Sequence, residues 1–459
     1  MRRKRNRKGL TLIACMIFMV VFLALGASLA AMSGSNVQLS ANQQRGARAL
    51  AAAESGLEIL RYWLSQIVIE TTVTAPSQYY TEILSQLKTA LYHANATNMK
   101  LGTDGTLQVV SLDSTSGQSF SAKLAMDPNS PVGDTYILDV TVTGTYQGLS
   151  RSIITEFNIT PYVHPIFKFG MATKGPIQFP NNPTTTTVTS NWEADLYTES
   201  SGSMIGVYVG GNTNFDGDIM IASSTAMVDF VGDVQIAGEK GQDAIDNHVH
   251  LDVDPVEFPP ADPTRFLPYA TGPVVDPCAM DLTKGITLTN ATIPAGTNPT
   301  FEGTVNIQGV LIVEPPNVVN FKNNVQLEGM IVGESGSYSA SGNQINIAGN
   351  FASLPLPSDP QFDTLREEEG SSIITPDFDV SFSGNYSSIE GVVAAGSLHF
   401  SGNASAIIKG SLLSYADAPT VVEGNVSLTF DRAHTVKIPA GFDTRRVLEY
   451  SPTSYAMVY

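Results

Sequence analysis

Cysteine is nearly absent from this chain, and proline is missing from its whole first part: the first is Pro76. Two cysteines, Cys15 and Cys278, give no disulfide framework and no cysteine-based metal site. Cys15 falls inside an apolar run and Cys278 far beyond it, so each reads as a single thiol. Arginine is scarce in the middle, where Arg265 and Arg366 are the only two between residues 165 and 430. Basic charge in general is missing from most of the chain. Residues 1–61 hold nine of the 25 Lys+Arg and two of the 43 Asp+Glu, leaving 16 basic against 41 acidic side chains in residues 62–459, a net of −25. Such a surface repels nucleic acid, and solubility outside the cell is a sufficient cause for it.

What is there begins with an uncharged run of 23 residues, Leu10 to Met32. As a helix rising about 1.5 Å per residue it covers roughly 35 Å, enough to span a hydrocarbon core of about 30 Å. A cleaved secretory signal has only about 7–15 apolar residues, which favours a retained helix over cleavage at Ser28-Leu29-Ala30 before Ala31. Arg2, Arg3, Lys4, Arg5, Arg7 and Lys8 directly precede the run. By the positive-inside rule they keep the N-terminus cytoplasmic, giving a single-pass inner-membrane protein with its bulk outside. No proline interrupts Thr11 to Gln66 and Ala47 to Ala53 is rich in helix formers, so one helix is expected over 10–66. Val37, Leu39, Leu50, Leu57, Leu60 and Leu64 are spaced to pack on one face, and Glu58 and Arg61 can pair across a turn.

The join Lys8-Gly9-Leu10-Thr11-Leu12-Ile13, with an apolar helix running on into Ala52-Ala53-Glu54-Ser55-Gly56-Leu57-Glu58, resembles a type IV pilin or pseudopilin. The second segment is similar to the PilX-type minor pilins. The resemblance implies that a prepilin peptidase cuts after Gly9, making Leu10 the mature N-terminus. It implies a helix that anchors the subunit in the inner membrane and later packs with other pilin subunits. Bulk filament subunits of that family carry Glu at the fifth mature position; here the position is Ala14, which points to a minor or tip component. A signal-anchored surface protein without a pilus is the alternative.

Beyond the helix, residues 67–164 read as a small α+β domain. Tyr79, Ile83, Leu84, Leu87 and Leu91 repeat at three-to-four spacing and predict a helix over 78–94. Alternation around Phe120–Leu124, Ile137–Val142 and Ser152–Ile159, with a turn at Gln147-Gly148, predicts an antiparallel sheet ending in a hairpin. Residues 165–445 then change character. Phe215-x-Gly217-x-Ile219-x-Ile221 is echoed at Phe230, Phe301 and Phe321, and more weakly at Phe382, Phe400 and Val422. A short strand ended by Gly or Asn and repeated at this interval is what a β-solenoid (β-helix) needs, with a β-sandwich or jelly roll as competitor. Proline-rich 240–280 and Glu-rich 354–376 read as excursions from the solenoid, and 446–459 as a C-terminal tail.

Candidate chemistry is thin. His248-Val249-His250-Leu251-Asp252-Val253-Asp254 would place two imidazoles and two carboxylates on one face of an extended chain, a weak candidate for a divalent metal. A solvated strand edge explains the same residues. Glycine pairs such as Gly210-Gly211 lack the spacing of a phosphate cradle, so no cofactor is expected. Asp216, Asp218 and Asp233 flank glycines in turns, where Asp is ordinary. A pectate-lyase type of β-helix needs clustered carboxylates beside a base, and Glu367-Glu368-Glu369 reads as a solvated loop. The expectation is a non-enzymatic assembly subunit. The alternative is an anchored β-helix that binds or cleaves surface polysaccharide.

Overall fold

The computed structural model describes residues 8–458 apart from 71–72, 74, 132–134, 201–204, 403–404, 434–437 and 443–444, so the leader residues Arg2 to Arg7 lie outside the described residues. Two compact units result, and they are not consecutive in the chain. Val163–Thr444 is one, and the segments on either side of it, up to Tyr162 and from Arg445, together form the other.

The discontinuous unit opens with helix α1 (Lys8–Leu64), and helix α2 (Pro76–His93) follows with Pro76 at its start, where a missing N–H costs nothing. Strands β1 (Thr106–Asp113), β2 (Gln118–Met126), β3 (Tyr136–Tyr146) and β4 (Leu149–Pro161) form an antiparallel meander. The β3–β4 turn holds Gln147 at φ 47° and Gly148 at φ 78°, the left-handed pair that a two-residue hairpin demands. Period-two alternation buries Leu138, Val140 and Val142 on β3 and Ile153, Phe157 and Ile159 on β4 beneath the helices.

The last strand corrects the expected tail. Residues Arg446–Val458 are strand β5, paired antiparallel along β4 from Arg446↔Pro161 to Val458↔Ser152. Its outer edge holds the short strand Val68–Ile69. The sequence hides this strand because only Leu448 is buried and the ladder is interrupted between Ser451 and Ala456. Tyr162 N–H donates to the Arg445 carbonyl at 2.8 Å, so the chain leaves this sheet and returns to it at adjacent residues.

Between those points lies the solenoid. Among the described residues its strand pairings are parallel, save the hairpin of Gln235↔Lys240 and Ile236↔Glu239, and this removes the sandwich and jelly-roll alternatives, which need antiparallel pairs. Three ladders run through the stack. The first climbs from Ile286–Thr289 through Val305, Val325, Phe351 and Tyr386 to Ser405–Lys409 and Ser427–Phe430. The second takes Ile331, Ile373, Val393 and Leu412. The third aligns Phe301, Phe321, Ile347, Phe382 and Phe400. Phe301 and Phe321 stack at 5.1 Å, as do Phe382 and Phe400. The chain bends between ladders at glycines: Gly309 and Gly329 face each other at φ 78° and 149°, and a Cβ on Gly329 would fall 2.0 Å from the Gly309 carbonyl.

The stack closes on itself. Leu412–Ser414 pairs with Met171–Thr173, and Ser427–Phe430 with Thr184–Thr187, so the coil entered first lies inside the stack. From there the chain winds out through Leu196–Thr198 and Ile219–Ile221 to Val249–Leu251. Residues 252–285 then lead to Ile286, from which the coils wind back to the starting point. This connecting segment lays Phe258 and Phe266 over the outward side of the second ladder, against Val310, Ile312, Met330, Val332, Ile374 and Leu413. That ladder is buried on both sides, which is why its strands read as unbroken apolar runs such as Val310–Val313.

Three expectations shift. Phe230 pairs with Val209, whereas Phe215 pairs with Ile236 and Thr185, so the Phe215 copy of the repeat sits on a different face. All faces alternate alike, and the motif does not encode which face it occupies. The first excursion begins later than 240, because Gly241–His248 is a helix and Val249–Leu251 a strand of the second ladder. The second ends before 376, because Ser371–Phe382 is a ladder strand.

Because the insertion leaves and rejoins the sheet at bonded neighbours, deleting residues 163–444 and joining Tyr162 to Arg445 through a short glycine linker should leave a detergent-solubilised chain that melts cooperatively. Truncation after Tyr162 without the linker and β5 should abolish that transition in circular dichroism.

Candidate functional site

Helix α1 holds 57 residues in two halves of different chemistry. From Thr11 to Ser40 each side chain is exposed, with Phe22 at 69 % and Leu29 at 67 %. The most apolar stretch of the helix has no buried residue. An apolar surface of this size requires cover from lipid or from other helices. Gly9 and Leu10 lie in the first turns, and Ala14 is on the exposed surface. Cys15 is exposed on the same half and Cys278 in the solenoid's connecting segment, both as free thiols.

The second half is docked. Ala49, Ala52, Ala53, Gly56, Leu57, Leu60 and Leu64 are buried at helical spacing against β2, β3 and β4, while Glu54, Ser55 and Glu58 face out. Val37 and Leu39, expected to share that face, are exposed because they lie beyond the reach of the sheet. The contact is close. A Cβ on Gly144 of β3 would fall 2.1 Å from the Ala49 carbonyl and 2.3 Å from the Ala53 nitrogen. A Cβ on Gly56 would fall 2.5 Å from the Phe120 ring. The Ala-Ala-Glu-Ser-Gly-Leu-Glu segment is therefore a strip of small residues on which helix and sheet backbones meet. A glycine inside an alternating strand, as Gly144 is in β3, is the sequence signal of such close backbone approach. Arg48 fixes the upper end, donating to the Tyr146 hydroxyl with its guanidinium 5.0 Å from that ring. Arg61 lies 4.8 Å over Tyr450 of β5 and pairs with Glu58 at 3.5 Å, an exposed contact of little weight.

In the solenoid, the histidine motif sits on the outermost coil of one end. His248 Nδ1 lies 2.8 Å from Asp218 Oδ1 and His250 Nε2 3.3 Å from Asp218 Oδ2. One carboxylate thus holds both imidazoles, and the partner is Asp218 rather than Asp252 or Asp254. The strand ends at Leu251, Asp252 turns left-handed at φ 57°, and Asp254 is exposed beyond it. Among the described residues no group of three or more His, Cys, Asp or Glu is placed to hold a metal ion. Asp195 accepts the Asp218 N–H at 2.9 Å, and burial pushes its carboxyl up to about 6.

The head's arginines serve the fold. Arg265 pairs with Glu368 at 2.8 Å and Arg366 with Asp363, so Glu368 is a largely buried partner and not part of a solvated loop. Arg432 is buried at the seam where last and first coils meet. Its backbone N–H donates to Glu193 Oε2 at 2.9 Å and its guanidinium to the Lys168 carbonyl at 2.8 Å, and burial lowers its pKa to about 10.

Comparison with known proteins bears on the helix. Residues 8–58 match the family model described as PilX N-terminal, a likeness confined to the amino-terminal helix. The crystal structure of the competence-associated pilin ComZ from Thermus thermophilus aligns over 90 % of this chain and 97 % of that one, at 14 % identity and a TM-score of 0.30, too low to assign a shared fold. No curated protein matches the chain.

Gly144→Ala should cost about 1–3 kcal/mol by forcing helix and sheet apart, read as a lower thermal midpoint. Asp195 supplies a pH test. Its folded pKa lies above the ordinary carboxylate value, so its stabilising contribution is present at acid pH and is lost as pH rises through about 6. Relative to wild type, Asp195→Asn should gain on the order of 1 kcal/mol between pH 5 and 7.5 after solvent screening, checked by paired melting curves.

Proposed function

We propose that this chain is a minor pilin-type subunit of a type IV pilus or type II secretion-type assembly, built for display and adhesion and not for turnover. The observation that carries the reading is the division of α1. One half is bare and apolar along its whole circumference, and the other is locked to its own sheet by small residues. The bare half suits a subunit that waits in the inner membrane and later packs with other pilin helices. The basic leader places the N-terminus in the cytoplasm. Prepilin peptidase would act between Gly9 and Leu10, at the border between basic leader and apolar helix. Ala14 favours a minor place, since a neutral side chain at that position offers no carboxylate to a neighbour's terminal ammonium. A non-catalytic head agrees with arginines committed to ion pairs and to the coil seam.

N-terminal sequencing of the purified protein is the test. A mature chain beginning at Leu10, and at Met1 in cells without prepilin peptidase, supports the reading. A start at Ala31, or an intact Met1 in wild-type cells, overturns it.

A further inference from the structure

The three solenoid ladders offer unequal outer surfaces. The second is covered by the connecting segment and the first carries charge at Glu328, Glu390 and Lys409. The third has an outward row of Thr300, Asn320, Asn346, Ser381 and His399, flanked by Asp379 on one side and the Glu302–Lys322 pair on the other. The amides and hydroxyl bond along the stack, with Asn346 Nδ2 donating to Asn320 Oδ1 at 3.0 Å and Ser381 Oγ to Asn346 Oδ1 at 2.8 Å, and His399 Nε2 lies 3.0 Å from Glu423 Oε1. Tyr338, bonded to Asp379 two residues before Ser381, lines a cleft of about 560 Å³ together with Lys174, Asp377, Tyr415 and Asp417.

Its two phenols are fixed in place. Tyr338 comes from the loop between Glu334 and Gly342, and its ring lies so close over Gly396 that a Cβ there would fall 2.5 Å away. Its hydroxyl donates to Asp379 Oδ1 at 2.8 Å, an oxygen that Ser397 Oγ also contacts at 2.8 Å. Asn343 Nδ2 steadies the loop by donating to the Ser337 and Asp377 carbonyls at 3.1 Å. Tyr415 donates to the Pro259 carbonyl at 2.7 Å, and Lys174 sits 5.7 Å over its ring. The Tyr415 ring is engaged by Lys174 and by Phe258 at 5.6 Å, whereas the partly exposed Tyr338 ring, with its hydroxyl bonded inward and one side on Gly396, can serve through its remaining carbon face. The cleft's charge is one ammonium against the Asp377 and Asp417 carboxylates, on a chain of net charge −18.

A rigid aromatic ring with hydrogen-bonding side chains around it suits a ligand with apolar C–H faces and many hydroxyls, and the local charge repels anions. We propose that this cleft binds a short segment of neutral or amino-sugar glycan, stacked on Tyr338 with its polar groups held by Asp377 and Asp417. A polyuronate is excluded by the same carboxylates. The site is a property of the folded head and does not rest on the assembly role, so its failure and the failure of that role are separate results.

The test is calorimetric titration of the full chain in detergent with cellotetraose, a glucosamine tetramer and trigalacturonate. Cellotetraose and the glucosamine tetramer should bind and trigalacturonate should not. Tyr338→Ala should weaken binding at least tenfold. Asp417→Asn, at an exposed position outside the core, should weaken only the glucosamine tetramer, by several-fold. Absence of binding by both non-acidic probes, equal binding of trigalacturonate, or wild-type affinity in Tyr338→Ala would each overturn the proposal.

Discussion

One constraint organises the head: the chain must leave the amino-terminal sheet at Tyr162 and re-enter it at Arg445, residues joined by a backbone hydrogen bond. A solenoid wound from one end to the other would leave its two termini separated by the length of the stack. This chain instead begins in the interior of the stack and finishes against its own first coil. Met171–Thr173 receives Leu412–Ser414, and Phe167 meets Phe442 with ring centres 5.0 Å apart. The long connecting segment follows from this choice, since something must carry the chain from one end of the stack to the other. The buried Arg432 follows too: the seam is where strands far apart in sequence must be held, and a guanidinium with several carbonyl partners suits that task.

The connecting segment then decides which surface is free. Its proline-rich sequence reads as a loop, and in one sense it is: beyond Leu251 it contributes few ladder bonds. Yet Phe258 and Phe266 make it the second wall of a hydrophobic layer. Tyr197 accepts the Val256 N–H at 2.8 Å and Tyr415 donates to the Pro259 carbonyl, so two phenols fasten the start of the segment. One solenoid face is thereby removed from recognition. The others keep polar rows.

Local periodicity made much of this visible in the sequence. Helix α1, helix α2 and the β3–β4 hairpin each bury a face at their own period, and Phe301, Phe321, Phe382 and Phe400 do form one ladder. What stayed hidden depends on partners far away in the chain. Strand β5 buries little beyond Leu448, and its identity comes from hydrogen bonds to β4. The pairing of 171–187 with 412–430 leaves no mark in either segment, because every coil carries the same alternation. The carboxylate partner of the histidine motif is hidden for a related reason. Alternation in an extended chain sets the motif's face only as far as Leu251; the left-handed Asp252 follows the strand, and Asp218, brought in by the neighbouring coil, is the carboxylate that meets both imidazoles.

Helix α1 shows why small residues and large ones divide the labour along one rod. Against its own sheet the helix is held by Ala49, Ala52, Ala53 and Gly56, whose gain comes from close backbone approach and not from side-chain area. That contact needs Gly144 opposite and tolerates nothing larger, so it fixes the helix in one register and one rotation. The bare half has the opposite chemistry. Large side chains such as Phe18, Phe22 and Leu29 surround the helix without selecting a face, which suits a fluid or many-sided cover. A rod rotationally fixed at one end and apolar on every side at the other keeps its direction from the domain while leaving its rotation within an apolar surround unspecified.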